Sequence, residues 1–189
     1  MARSHLETEI KLRIDSPAST RRLLAKHGFV VLTPRVFESN TIFDTPDSRL
    51  RRGRNLLRLR QAGPRNTIAF KGPPIDSKYK ARPEVESDFT DAIAVRDILE
   101  GLGLAPVFRY EKYRTEYRKP GRPGSVMLDE TPVGDFLELE GPANWIDRTA
   151  KELGFSVGDY ILDSYGGLYL ANCKRERRKP GHMLFSRRK

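Results

Sequence analysis

The segment Glu7-Thr8-Glu9-Ile10-Lys11 places two acids and a base at every second position. On a β-strand alternate side chains point to opposite faces, so Glu7, Glu9 and Lys11 share one face and Thr8, Ile10 and Leu12 the other. Taken alone, this is an amphipathic strand with its charged side in water. The alternation returns along the chain, however, in Arg58-x-Arg60, Lys71, Glu84-x-Glu86, Lys112-x-Arg114, Asp129 and Glu138-x-Glu140. A small barrel is normally filled by apolar side chains. Turning charged faces inward costs several kcal/mol per ion before pairing, so an interior built this way is expected to bind something charged.

The two sets of side chains suggest what that is. Lys11, Arg58, Arg60, Lys71, Lys112 and Arg114 suit a chain of phosphates, because guanidinium forks pair with phosphate oxygens. Glu7, Glu9, Glu84, Glu86, Asp129, Glu138 and Glu140, in a chain with one Cys and three His, suit a hard, oxygen-preferring cation such as Mg²⁺ or Mn²⁺. A metal-bridged polyphosphate satisfies both sets, since the metal lets acids stand beside phosphate oxygens and draws electron density from phosphorus. No Gly-x-x-x-x-Gly-Lys-Ser/Thr loop is present, and His5, His27 and His182 lie at an edge, a helix end and the tail, away from any nucleophile.

The elements that must carry these residues follow from periodicity and breakers. Strands are expected at about 5–14, 35–44, 55–61, 67–71, 83–89, 107–118, 125–130 and 135–141. Helices are expected near 17–27 after Ser16-Pro17, 91–100 capped by Thr90, 144–153 capped by Asn144, and 162–172, the last weakened by Gly166-Gly167. Residues 45–54 and 73–82 read as loops. Eight strands in mostly hairpin order, with three or four helices, predict an α+β fold: an antiparallel sheet curled into a barrel with helices on its outer, apolar face.

The chain has 189 residues, enough for one domain with a real core. It contains no run of 18 apolar residues, so no membrane span is expected. The charged N-terminus has no apolar leader pattern, and the single Cys173 rules out an intrachain disulfide and a cysteine-based zinc site. Both fit a reducing cytoplasm. The net charge of +10 is uneven: residues 174–189 carry eight Lys/Arg against Glu176, or +7, leaving +3 for the rest. Residues 1–173 are therefore expected to form a single domain and 174–189 a disordered or loosely packed basic tail. That tail suits solubility or weak contact with nucleic acid.

On these motifs the chain resembles the CYTH family, the triphosphate tunnel metalloenzymes. Glu7-x-Glu9-x-Lys11 stands near the N-terminus, the later charged motifs follow in family order, and Ser164-Tyr165 resembles the family's C-terminal helix motif. The likeness covers about residues 5–172. It implies an eight-stranded antiparallel tunnel that binds a triphosphate-containing small molecule with Mg²⁺ or Mn²⁺. By position, Lys11, Arg58, Arg60, Lys71, Lys112 and Arg114 would hold phosphates, and Glu7, Glu9, Asp129, Glu138 and Glu140 the metal. Lys11, Lys71, Glu84 and Glu86 form the candidate catalytic set, the two glutamates orienting the bases or assisting with metal. Water attack at a terminal phosphorus would make a triphosphatase acting on inorganic, thiamine or nucleoside triphosphate, which is the favoured reading. Attack by a ribose 3′-hydroxyl on the α-phosphorus would make a class IV adenylyl cyclase. A noncatalytic polyphosphate- or nucleic-acid-binding module is the third reading. The carboxylates argue against it, because without metal they repel a polyanion.

Overall fold

Outward apolar and inward charged residues alternate around a closed antiparallel barrel of eight strands. The structure, a computed structural model, describes residues 5–186. In chain order the elements are β1 (His5–Ile14), α1 (Pro17–Lys26), β2 (Val30–Asp44), α2 (Arg49–Arg52), β3 (Leu56–Ala62), β4 (Arg65–Lys71), β5 (Lys80–Phe89), α3 (Ala92–Gly101), β6 (Ala105–Arg118), β7 (Ser125–Thr131), β8 (Gly134–Glu140), α4 (Ala143–Glu152) and α5 (Tyr165–Arg175). Around the barrel the strands run β1-β5-β4-β3-β2-β6-β7-β8. Closure pairs β1 with both β5 and β8, which sets Lys11 opposite Glu138 and Glu9 opposite Glu140.

The outer face is the core. Ile10, Leu12, Val126, Leu128, Leu137 and Leu139 point outward from β1, β7 and β8 and pack with Leu24 of α1 and Trp145, Ile146 and Ala150 of α4. Each such side chain, buried fully, contributes roughly 1.5–3 kcal/mol. Phe43 and Leu59 form a second patch under Leu99 of α3. Gly124, with φ +85, has no Cβ to collide with the Trp145 ring; one built there would stand 2.6 Å from it.

Several boundaries differ from the sequence expectation for physical reasons. Strand β2 begins at Val30, not 35, because irregularities between Val31 and Val36 absorb Pro34, which cannot donate to the ladder. Strand β5 begins at Lys80, so Lys80 and Arg82 belong to a strand and not to a loop. Within 45–54, α2 forms a single turn held by a distant cap: Asp44 accepts hydrogen bonds from the backbone N–H of Thr45 (2.8 Å), Leu50 (2.8 Å) and Arg51 (3.0 Å). Helix α3 is capped by Asp91, one residue beyond Thr90, and α4 starts after Pro142 with no side-chain cap.

The last helix and the segment after it depart furthest from expectation. Helix α5 does not lie on the apolar outer face. Its Tyr165, Tyr169 and Cys173 pack with Tyr110 of β6 and Phe136 of β8, which occupy the same strand faces as Lys112 and Glu138. The segment beyond α5 is not loose over its described length. Met183 is fully buried, exchanges backbone hydrogen bonds with Arg109 (3.0 Å) and Glu111 (2.9 Å), and lies alongside Tyr110. Phe185 packs on Tyr113. Strand β7 pairs with β6 only at Tyr113–Tyr117, and this segment fills part of the β6 edge that β7 leaves open. Arg187, Arg188 and Lys189, counted in the basic tail, lie outside the described residues.

Candidate active site

The inward faces enclose a cavity of about 260 Å³. Period-two alternation delivers its lining: Glu7, Glu9 and Lys11 from β1; Arg58 and Arg60 from β3; Lys71 from β4; Glu84 and Glu86 from β5; Lys112 and Arg114 from β6; Glu138 and Glu140 from β8. Twelve of the thirteen residues singled out in the sequence therefore line one space. The thirteenth, Asp129, also faces inward but is fully buried beneath Lys112, Arg114 and Tyr165 and does not line the cavity.

The charges are interlocked. On one side, the Lys11 ammonium lies between Glu9 (2.9 Å) and Glu138 (3.1 Å), and Glu138 accepts from Arg114 (2.7 Å). Arg114 forks onto Asp129 at 2.7 and 2.6 Å, and Asp129 also accepts from Lys112 (3.0 Å) and the Tyr165 hydroxyl (2.5 Å). On the other side, Lys71 binds Glu7 (2.6 Å) and Glu84 (3.0 Å), Arg58 stands 3.7 Å from both Glu84 and Glu86, and Arg60 is 3.1 Å from Glu86. Asp129 thus spends both oxygens on cations and a phenol.

Ionisation follows from these contacts. Burial and Glu138 would raise the Glu9 carboxyl, but Lys11, Lys80 and Lys71 hold it well below the usual range. Burial would depress Lys11, but Glu138 and Glu9 raise it above its ordinary value. Glu7 moves up through burial and the neighbouring Glu9, against the pull of Lys71. Among the described residues Glu140 has no ion-pair partner, and burial with Glu7, Glu138 and Glu9 nearby pushes its carboxyl up to about 7.

Glu140 marks where positive charge is lacking. Glu9 and Glu140 are register partners on β1 and β8, an arrangement that repels across a strand pair unless a cation lies between. Glu7, Glu9, Glu138 and Glu140 offer only carboxylate oxygens, which suits Mg²⁺ or Mn²⁺. With the side chains as they stand, no three acidic, His or Cys residues among the described residues are grouped to hold a metal ion, since all but Glu140 hold a lysine or arginine instead. The donor chemistry therefore fits such an ion once those cations are drawn elsewhere.

Sequence reasoning missed four participants. Lys80 lines the cavity and bonds Glu9, while Arg82 clamps the carbonyls of Gly72 (2.6 Å) and Arg54 (3.0 Å). Placing 80–82 in a loop hid the alternation Lys80-x-Arg82-x-Glu84-x-Glu86. Glu38 and Asn40 are buried inward residues of β2; Glu38 lies 3.5 Å from Lys112, and both amide atoms of Asn40 lack hydrogen-bond partners. Their alternation, Glu38-x-Asn40-x-Ile42-x-Asp44, mixes acid, amide and apolar types and so does not mark a charged face.

A closed eight-stranded antiparallel barrel with acids and bases interleaved in its lumen is a charged tunnel. The chain belongs to the CYTH family, whose domain model matches residues 5–172. It is 32% identical over 148 residues to a Methanocaldococcus jannaschii protein named "putative adenylate cyclase", covering 78% of this chain and 83% of that one. Among solved structures it is similar to a Vibrio parahaemolyticus protein of the same description (TM-score 0.75, 21% identity, 88% of this chain and 98% of that one). It is also similar to a Hippeastrum protein described as a "putative adenylyl cyclase" that reveals a dominant triphosphatase activity (TM-score 0.61, 19% identity, 92% and 97%). These last two likenesses are of fold. No helix among the described residues is long and apolar enough to cross a membrane.

Proposed function

We propose that this protein is a divalent-metal-dependent triphosphatase that takes a triphosphate into its barrel and cleaves a phosphoanhydride with water. The observation that carries the reading is the convergence of Lys11, Arg58, Arg60, Lys71, Lys112 and Arg114, from four strands, on one cavity bordered by the carboxylates of β1 and β8. The Methanocaldococcus jannaschii relative's name, putative adenylate cyclase, supports a triphosphate substrate, and the carboxylates of β1 and β8 support a divalent metal.

Phosphoryl transfer asks the protein mainly for positioning and charge. Arg58, Arg60, Lys71, Lys112 and Arg114 exchange carboxylate partners for phosphate oxygens, a swap between like acceptors that leaves few cations unpaired. Lys11, set between Glu9 and Glu138, lies where phosphates meet the acidic ridge and is placed to balance charge developing in the transition state. Glu84 and Glu86 aim Lys71, Arg58 and Arg60. Asp129, wholly engaged with Arg114, Lys112 and Tyr165, acts as a positioning residue and not as a metal ligand. Glu7, Glu9, Glu138 and Glu140 would hold Mg²⁺ or Mn²⁺, which would supply Lewis-acid charge to the phosphate oxygens. A cytoplasmic setting is part of this proposal, supported by the single cysteine.

A second reading, adenylyl cyclase, is favoured by one feature of the cavity. Ile42, Leu56 and Phe108 give it an apolar stretch beside the cations, a surface on which a base could stack. Cyclisation further requires the 3′-oxygen in line with the α-phosphorus. The deciding experiment incubates the protein with Mg²⁺ or Mn²⁺ and tripolyphosphate, thiamine triphosphate or ATP, with products resolved by phosphorus NMR. Orthophosphate plus the diphosphate is expected. Cyclic AMP with pyrophosphate would replace hydrolysis by cyclisation, and triphosphate binding without turnover would make the protein a binding module.

A further inference from the structure

Tyr165 has an unusual set of neighbours for a packed aromatic residue. It is the first residue of α5, which Ser164 starts by accepting a hydrogen bond from the Gly167 N–H (3.1 Å), and it is 6% exposed. The Lys11 ammonium lies 5.1 Å from its ring centroid and that of Lys112 lies 5.0 Å away, both within cation–π range. Its hydroxyl donates to Asp129 at 2.5 Å, and Asp129 accepts from Lys112 and, through two bonds, from Arg114. Burial and the nearby Asp129 keep the phenol protonated, as a donor to a carboxylate must be. Phe136 packs edge-on at 5.7 Å and Tyr110 at 6.3 Å, so the ring has little room to turn away.

We infer that Tyr165 is a positioning residue of the phosphate-binding wall: its ring seats the ammonium groups of Lys11 and Lys112, and its hydroxyl fixes the carboxylate that carries Lys112 and Arg114. One side chain, delivered by the helix that follows the barrel, thereby sets the spacing of three cations from β1 and β6. A residue that only packed would need neither the hydroxyl nor a π face toward both lysines.

The kinetic part of the test rests on the proposed triphosphatase reading, whereas the spectroscopic part does not. In NMR spectra of the protein labelled at lysine Cε and Nζ, with Lys11 and Lys112 assigned through Lys→Arg variants, both ε-methylene groups are expected upfield in the wild type and in Tyr165→Phe. The shift is expected to vanish in Tyr165→Leu. Unshifted Lys11 and Lys112 signals in the wild type, or no change in Tyr165→Leu, would overturn the inference whatever the protein catalyses. With tripolyphosphate, Tyr165→Phe is expected to lose under about 10-fold in kcat/KM and Tyr165→Leu on the order of 100-fold, in keeping with the worth of two desolvated cation–π contacts and one charge-assisted hydrogen bond. In a double-mutant cycle the Leu loss should be smaller on a Lys112→Ala background, with the part that acts through Lys11 and Arg114 remaining. Equal losses in Phe and Leu, or full additivity with Lys112→Ala, would overturn it. If Tyr165→Leu melts before assay, Tyr165→Phe alone decides: it must keep both lysine shifts and still lose activity. A wild type that neither binds nor hydrolyses tripolyphosphate would defeat the functional reading and leave the NMR result to judge Tyr165.

Discussion

Lys71 on β4 and Glu7 on β1 meet across the intervening strand β5, the ammonium standing 2.6 Å from each carboxylate oxygen. A phosphate would claim the first and a metal the second. The site therefore neutralises itself, and its two prospective ligands each release the partner of the other. Calorimetry is expected to show Mn²⁺ alone binding weakly and Mn²⁺ with tripolyphosphate binding at least about 10-fold more tightly. Lys71→Met should strengthen the binding of Mn²⁺ alone while lowering kcat/KM by about 10²-fold or more. Unchanged metal affinity in that variant would count against the exchange of partners.

The cation wall should divide between function and stability. Lys11→Ala, Arg58→Ala and Lys112→Ala are each expected to cut kcat/KM by about 10²-fold or more in folded protein. Arg114→Ala should do the same and also destabilise by about 3–5 kcal/mol, because it strips two bonds from fully buried Asp129 and one from Glu138. Chemical denaturation beside steady-state kinetics separates the two effects. Near-wild-type rates would remove these residues from the substrate.

Two carboxyls predict opposite pH dependence in the metal-free protein. Glu140, pushed from its ordinary 4.5 up to about 7, binds its proton more tightly folded than unfolded, so its contribution to stability is present below about 4.5 and is lost as pH rises through about 7. Glu38 is held at about 2 by Lys112, Arg114, Arg60 and Arg58 in spite of burial, so its contribution is present above about 4.5 and is lost as pH falls through about 2. Melting curves from pH 3 to 8 should show Glu140→Gln flattening the neutral limb and Glu38→Gln the acid limb, each by on the order of 1–2 kcal/mol after allowance for solvent relaxation. Parallel curves for wild type and variants would refute the assignment.

The segment after α5 is expected to belong to the folded unit. Met183→Ala, which empties a fully buried site against Tyr110 and Cys173, should cost about 2–4 kcal/mol. Truncation after Cys173 should lower Tm further, because it uncovers part of the β6 edge. An unchanged Tm in either variant would show that the segment is detached in solution.

The strand count, the alternation and the identity of twelve cavity-lining residues could be read from the sequence, because side-chain direction in a strand depends only on parity. Glu7 and Lys11 share a face whatever surrounds them, and charge type alone pointed to phosphate and hard metal. Parity cannot say which strands close the barrel or which carboxylate meets which cation. That Asp129 is covered, tied to Arg114 and Tyr165, follows from β6, β7 and α5 meeting around it. The sequence motif Ser164-Tyr165 carried no hint that a phenol would meet two lysines from different strands. The basic run after Cys173 looked like tail because charge dominates its composition, yet two apolar residues, Met183 and Phe185, suffice to dock it once β6 offers an open edge. Local pattern determined the faces. Closure of the sheet, which joins residues far apart in the chain, decided the partners.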